Sequence, residues 1–71
     1  MKKFERDVKA VKDVFNGKSL QISEIAQRSG LTHNEAFYVV VCLVEEGLIQ
    51  QNYTPKLKIP IYSLNKENDN A

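Results

Sequence analysis

The stretch from Ile22 to Ala36 constrains this chain more than any other. It reads Ile-Ser-Glu-Ile-Ala-Gln-Arg-Ser-Gly-Leu-Thr-His-Asn-Glu-Ala. Ser23 is a residue suited to cap a helix N-terminus, and Glu24 complements the positive end of the helix dipole in the first turn. A short helix is therefore expected from Glu24 to Ser29, ended by Gly30, which adopts positive φ without a Cβ clash. Thr32 and Glu35 then form a capping box: the Thr32 hydroxyl accepts from the N–H three residues on, and the Glu35 carboxylate reaches back to the Thr32 N–H. A further helix follows to about Glu46 and closes at Gly47. Only the three residues Gly30 to Thr32 separate the two helices, the tight turn of a helix–turn–helix. Ala26 is small enough for the helices to cross closely, and Ile25, Leu31, Ala36 and Val40 point towards a common core.

The flanking segments complete a pattern. Phe4, Val8, Val11, Val14 and Phe15 recur at helical spacing and predict a first helix over 4–15, stopped by Asn16-Gly17. Lys3, Arg6, Asp7, Lys9, Lys12 and Asp13 decorate its other faces. Leu20-Gln21-Ile22 is a very short strand or simply extended chain. After Gly47 the period turns strand-like: Leu48 to Tyr53 and Leu57 to Leu64 read as the arms of a hairpin around Thr54-Pro55-Lys56. Pro60 has no N–H, so it is expected to face the open edge. Leu43, Leu48 and Ile49 tie the third helix to the hairpin, and Tyr53 and Tyr62 read as packing residues. The expected fold class is α+β, a winged helix: a three-helix bundle with a helix–turn–helix plus a β-hairpin wing. One domain is expected over 1–64, with a disordered polar tail over 65–71.

Composition bounds the rest. A chain of 71 residues is at most one domain. At this size only about 60% of the unfolded surface is buried, which favours support from a second copy. The longest apolar run, Ala36 to Val44, is far shorter than the ~20 residues of a spanning helix. Charges interrupt the N-terminal segment at once, so no secretory signal is expected there. A lone cysteine, Cys42, makes no internal disulfide, in keeping with a reducing, cytoplasmic setting. Net charge is only +1, so contact with a polyanion requires the cations to gather on one face.

The Ile22–Ala36 stretch resembles the helix–turn–helix of winged-helix regulators of the MarR and ArsR type. Those families share a capped second helix, an Ile-Ala pair and a Gly-Leu-Ser/Thr turn. The resemblance continues through Leu43-Val-Glu-Glu-Gly-Leu-Ile49, similar to a recognition helix entering its wing, and Tyr62-Ser-Leu64, similar to a returning wing strand. It covers about Ile22 to Leu64. The resemblance implies a transcriptional regulator that binds double-stranded DNA, acting as a homodimer on a palindromic site. The third helix would then enter the major groove. Thr32, His33, Asn34 and Tyr38 would approach bases or the groove, with Asn34 placed to read adenine. Lys18 and Arg28 beside the turn, and Lys56 and Lys58 at the wing tip, would hold phosphates. The two wing lysines also suit a plainer role, guarding an edge strand.

The third helix has a further peculiarity. From Thr32 to Gly47 there is no Lys or Arg, while Glu35, Glu45 and Glu46 are acidic. His33 is mostly neutral at pH 7. The commonest specific base contact, Arg to guanine, has no donor here. The helix is also unusually apolar: Ala36, Val39, Val40 and Leu43 form a core face, Phe37 and Val44 flank it, and Val41 and Cys42 lie outward beside Tyr38. Helix one, the wing or a second copy could each cover this excess. Helix one, with Phe4 and Phe15, is the other candidate dimer surface. A rival reading is a winged helix that binds protein without direct DNA readout. His33 and Cys42 lie too far apart on one helix to make a metal site, and no nucleophile–base pair or Gly-rich phosphate loop is present. No catalysis, cofactor, metal or small-molecule ligand is expected.

Overall fold

In the computed structural model the described residues are 2–53, 55–56 and 58–65. Three helices come first: α1 (Lys3–Phe15), α2 (Ile22–Ser29) and α3 (His33–Glu45). Two strands follow, β1 (Ile49–Asn52) and β2 (Ile61–Leu64). The strands pair antiparallel, Ile49 opposite Leu64 and Asn52 opposite Ile61. Leu20 adds a single bridge to Tyr62, closed by two backbone hydrogen bonds of 2.8 Å. The extended segment before α2 is thus a one-residue pairing that ties the helical part to the wing. This is the α+β winged-helix arrangement expected from the sequence.

One core joins all five elements. Val11 and Phe15 enter it from α1, Ile25 and Ala26 from α2, and Ala36, Val39, Val40 and Leu43 from α3. Leu20, Ile49 and Tyr62 close it from the hairpin side, with Leu31 and Leu48 partly buried against it. Phe15 is fully buried, so it is a core residue and not part of a dimer surface. Phe4, from the same apolar stripe, stays on the surface at 43% exposed. It lies one turn before Val8, beside α3. Tyr53, expected to pack, is exposed too, because it lies past the last paired residue of β1.

The helix ends explain the turns. Helix α2 begins earlier than expected: its N-cap is Gln21, not Ser23, and Glu24 reaches back to accept from the Gln21 N–H at 3.1 Å. Gly30, at φ 79°, lets both its own N–H and that of Leu31 donate to the Ala26 carbonyl. This reverses the chain within the helix–turn–helix. The α3 capping box is the one read from the sequence, with Glu35 N–H to Thr32 Oγ1 at 3.1 Å and Thr32 N–H to Glu35 Oε1 at 2.9 Å. At the other end of α3, Gly47 donates to Val44 at 3.0 Å and Leu48 to Leu43 at 2.9 Å. That paired pattern is a Schellman motif, and it aims the chain into β1.

The hairpin is shorter than its apolar pattern suggested. Its arms begin at Ile49 and Ile61 rather than Leu48 and Leu57. Pro60 does not face an open edge within a strand; it precedes the strand, since a residue without an N–H cannot donate to the ladder. Thr54 and Leu57, in the expected turn and strand, lie outside the described residues. Asn65, placed in the tail from sequence, donates its N–H to Leu48 and its side-chain amide to Gly47, at 2.9 and 2.7 Å. The rest of that tail, 66–71, lies outside the described residues.

Candidate nucleic-acid interface

The first two turns of α3 form the centre of the candidate site. Thr32 and His33 start the helix and are exposed. Asn34, Phe37, Tyr38 and Val41 follow at i, i+3, i+4 and i+7, the spacing of one helix face. All four are exposed. This face lies opposite the core face of Ala36, Val39, Val40 and Leu43. Phe37 is 47% exposed, Tyr38 63% and Val41 37%.

The structure answers what covers the apolar excess of α3. Helix α1 covers part of one flank: the Phe4 ring meets Tyr38 edge-on, with centroids 5.8 Å apart and planes at 70°. Asn34 and Tyr38 share a shallow groove there with Lys3, Phe4 and Asp7. The described residues of the hairpin do not close over the other flank. Phe37, Val41 and Val44 line an open, largely apolar groove of ≈ 400 Å³ whose far wall is Pro60, Tyr62 and Gln51.

Electrostatics at the N-terminal end of α3 are set by a cation the sequence reading left on a solvated face. Lys3 Nζ lies 2.8 Å from Glu35 Oε2 and 2.8 Å from Asp7 Oδ2. The Lys3 ammonium, followed by the Thr32 N–H, lowers the Glu35 carboxyl to about 2. Hydrogen bonds to Asp7 and then Glu35 raise Lys3 above its ordinary value. Glu35 is therefore ionised throughout the physiological range, and it shares the Lys3 ammonium with Asp7. The acids Glu45 and Glu46 stand in the last turn of α3 and just beyond it, at the opposite end from Thr32. No sequence signal links positions 3 and 35, since the pair forms only when two helices pack.

The remaining candidate residues occupy three further places. Lys18 is exposed in the α1–α2 connection, where its N–H donates to Phe15 at 2.7 Å. Arg28 is exposed in the last turn of α2. Lys56 and Lys58 are exposed between β1 and β2. Thr32 has its backbone N–H and a hydroxyl lone pair engaged in the cap. That leaves its hydroxyl hydrogen and its methyl for an outside partner. The structure thus brings Asn34 and Tyr38 together on one surface with Phe4 and Lys3. The four cations lie elsewhere: Lys18 between α1 and α2, Arg28 in α2, and Lys56 with Lys58 between the strands.

Among the described residues no group of three His, Cys, Asp or Glu side chains is placed to hold a metal. Among the same residues no helix is long and apolar enough to cross a membrane.

Residues 16–52 match the sequence profile of the IclR helix-turn-helix domain. The match spans just over half of the chain; it begins just after α1, at Asn16, and takes in the whole helix–turn–helix and β1. It is a match to a DNA-binding domain of transcription regulators, a family that is not enzymatic. The family differs from the MarR and ArsR types that the turn resembles, while the helix–turn–helix itself is the same kind of motif. No curated protein matches the chain at a significant level.

Proposed function

Because the chain belongs to the IclR helix-turn-helix domain family, we propose that it is a sequence-specific, double-stranded DNA-binding transcriptional regulator that acts as a homodimer. The observation that carries this reading is the exposed N-terminal half of α3, presented by a capped turn, with the Glu35 carboxylate held by Lys3 and by the Thr32 N–H. In this reading α3 lies in the major groove with Thr32, His33, Asn34 and Tyr38 towards the bases. Lys18, Arg28, Lys56 and Lys58 contact phosphates on either side. With so few cations, affinity is moderate and specificity comes from polar and apolar contacts and from pairing two half-sites. The exposed Phe4, beside the groove it forms with Val8, Leu43 and Leu48, supports the α1 side as the dimer surface.

The wing is the part most open to test. Replacing Lys56 and Lys58 together by Ala removes two phosphate contacts. Binding should weaken to a similar degree on every sequence, and the slope of log K against log salt should fall by about two. Unchanged affinity and slope would remove the wing from the interface. Sedimentation of the protein, free and on a duplex, checks the two-copy stoichiometry.

A further inference from the structure

We infer that α3 reads thymine: Phe37 and Val41 are the specificity-determining residues, and their ligands are the C5-methyl groups of thymines in an A·T-rich major groove. The inference builds on the reading of α3 as the base-facing helix and deepens it by naming the base.

The argument proceeds by chemistry of the exposed face. Every base pair shows a distinct pattern in the major groove, and each pattern calls for a particular side chain. Guanine is read through O6 and N7 by Arg or Lys, and α3 has neither between His33 and Glu45. Cytosine N4 calls for a carboxylate. Glu35 is occupied by Lys3 and by the Thr32 N–H, and Glu45 stands in the last turn, beyond Val41. Adenine is read by a carboxamide, and Asn34 supplies one at the start of the exposed face. Thymine alone offers a methyl group, and an apolar side chain is its complement. Phe37 and Val41 lie one and two turns beyond Asn34 on that same face. They are 47% and 37% exposed and border an open groove whose far wall is Gln51, Pro60 and Tyr62. An adenine-reading amide followed by two apolar side chains spells A·T pairs. Tyr38 packs its ring against Phe4 and carries a polar hydroxyl, which makes it a poorer complement to a methyl group.

The inference explains a feature that the winged-helix fold does not require. A recognition helix without Arg or Lys loses the bidentate guanine contact, the commonest specific one. Burial of methyl groups replaces it with a contact that needs no charge on the helix, and the net charge of +1 is then no obstacle to specificity.

The test uses three duplexes: alternating dA-dT, the same sequence with deoxyuridine for thymidine, and alternating dG-dC. Deoxyuridine removes only the methyl group and leaves the hydrogen-bonding edge intact. Affinities are read by fluorescence anisotropy of the full chain. The thymine duplex should bind about 3- to 5-fold more tightly than its deoxyuridine counterpart for each methyl buried, the value of one methyl group. It should also bind more tightly than the dG-dC duplex. The double variant Phe37→Ser, Val41→Ser should bind the thymine and deoxyuridine duplexes equally. Equal binding of the two A·T duplexes by the native chain would overturn the thymine reading and leave DNA binding intact. A thymine preference that survives in the double variant would overturn the assignment to Phe37 and Val41. Absence of binding to all three duplexes would overturn both readings and leave the exposed face to a protein partner.

Discussion

Helix α3 has two apolar faces built on the same spacing, and they have opposite fates. Ala36, Val39, Val40 and Leu43 are no more than 2% exposed and form the middle of the core. Asn34, Phe37, Tyr38 and Val41 are displaced by two residues and stay on the surface. Composition does not separate the two faces, since Val and aromatic residues belong to either. What separates them is what the rest of the chain has to offer. Helices α1 and α2 and the hairpin bury one side of α3, while the other meets only Phe4 at Tyr38 and an open groove at Phe37 and Val41. An apolar residue left over after the core is full calls for an explanation outside the core.

Substitutions can break or sharpen this contrast. The largest effect belongs to the inner face. Leu43→Ala should cost about 2–5 kcal/mol, a large share of the ~5–15 kcal/mol that stabilises a typical small domain. The urea midpoint should fall accordingly, or the chain should not fold. On the outer face, Val41→Ala should change stability by less than about 0.5 kcal/mol and act on binding alone. If Val41→Ala destabilised the fold as Leu43→Ala does, the outer face would be structural.

Intermediate effects belong to the ends of the helices. Gly30→Ala forces an L side chain into φ 79°. A Cβ there meets no neighbouring atom within 4 Å, so the cost is conformational alone. About 1–2 kcal/mol is expected, seen as a lower melting temperature. Thr32→Ala removes the acceptor for the Glu35 N–H. It should cost about 1 kcal/mol.

The smallest effect concerns the Lys3–Glu35 pair, which is exposed and contributes little to stability. Its signature is a titration. Glu35 is lowered from the ordinary 4.5 to about 2, so whatever it contributes to stability is fully present above the ordinary carboxylate range and lost as pH falls through 2. NMR titration of the Glu35 carboxyl should show a midpoint near 2 in the native chain. In Lys3→Met it should move upward, part of the lowering persisting through the Thr32 N–H.

Much of the fold was legible because its strongest signals are local. The Thr32–Glu35 box, Gly30 and Gly47 each act within a few residues, and each has the role its sequence suggested. The start of α2 was misread because Ser23 is the stronger intrinsic cap. In the structure Glu24, at the third helical position, selects Gln21 through its N–H. The hairpin was overestimated because alternation continues past Pro60 although pairing cannot. Features made by contact between distant segments left little trace: Lys3 on Glu35, Phe4 on Tyr38 and the single Leu20–Tyr62 bridge. The site was legible as a set of candidates on α3, while the division of its outer face between α1 and an open groove needed the packed molecule.

The most direct test of the DNA-binding account is fluorescence anisotropy of a labelled random-sequence duplex titrated with the protein at low and moderate salt. The account predicts binding in the range of about 10⁻⁴–10⁻⁶ M at physiological salt, weakening with a log–log slope of about −3 to −4 for four phosphate contacts. No binding up to about 10⁻⁴ M at low salt would contradict it.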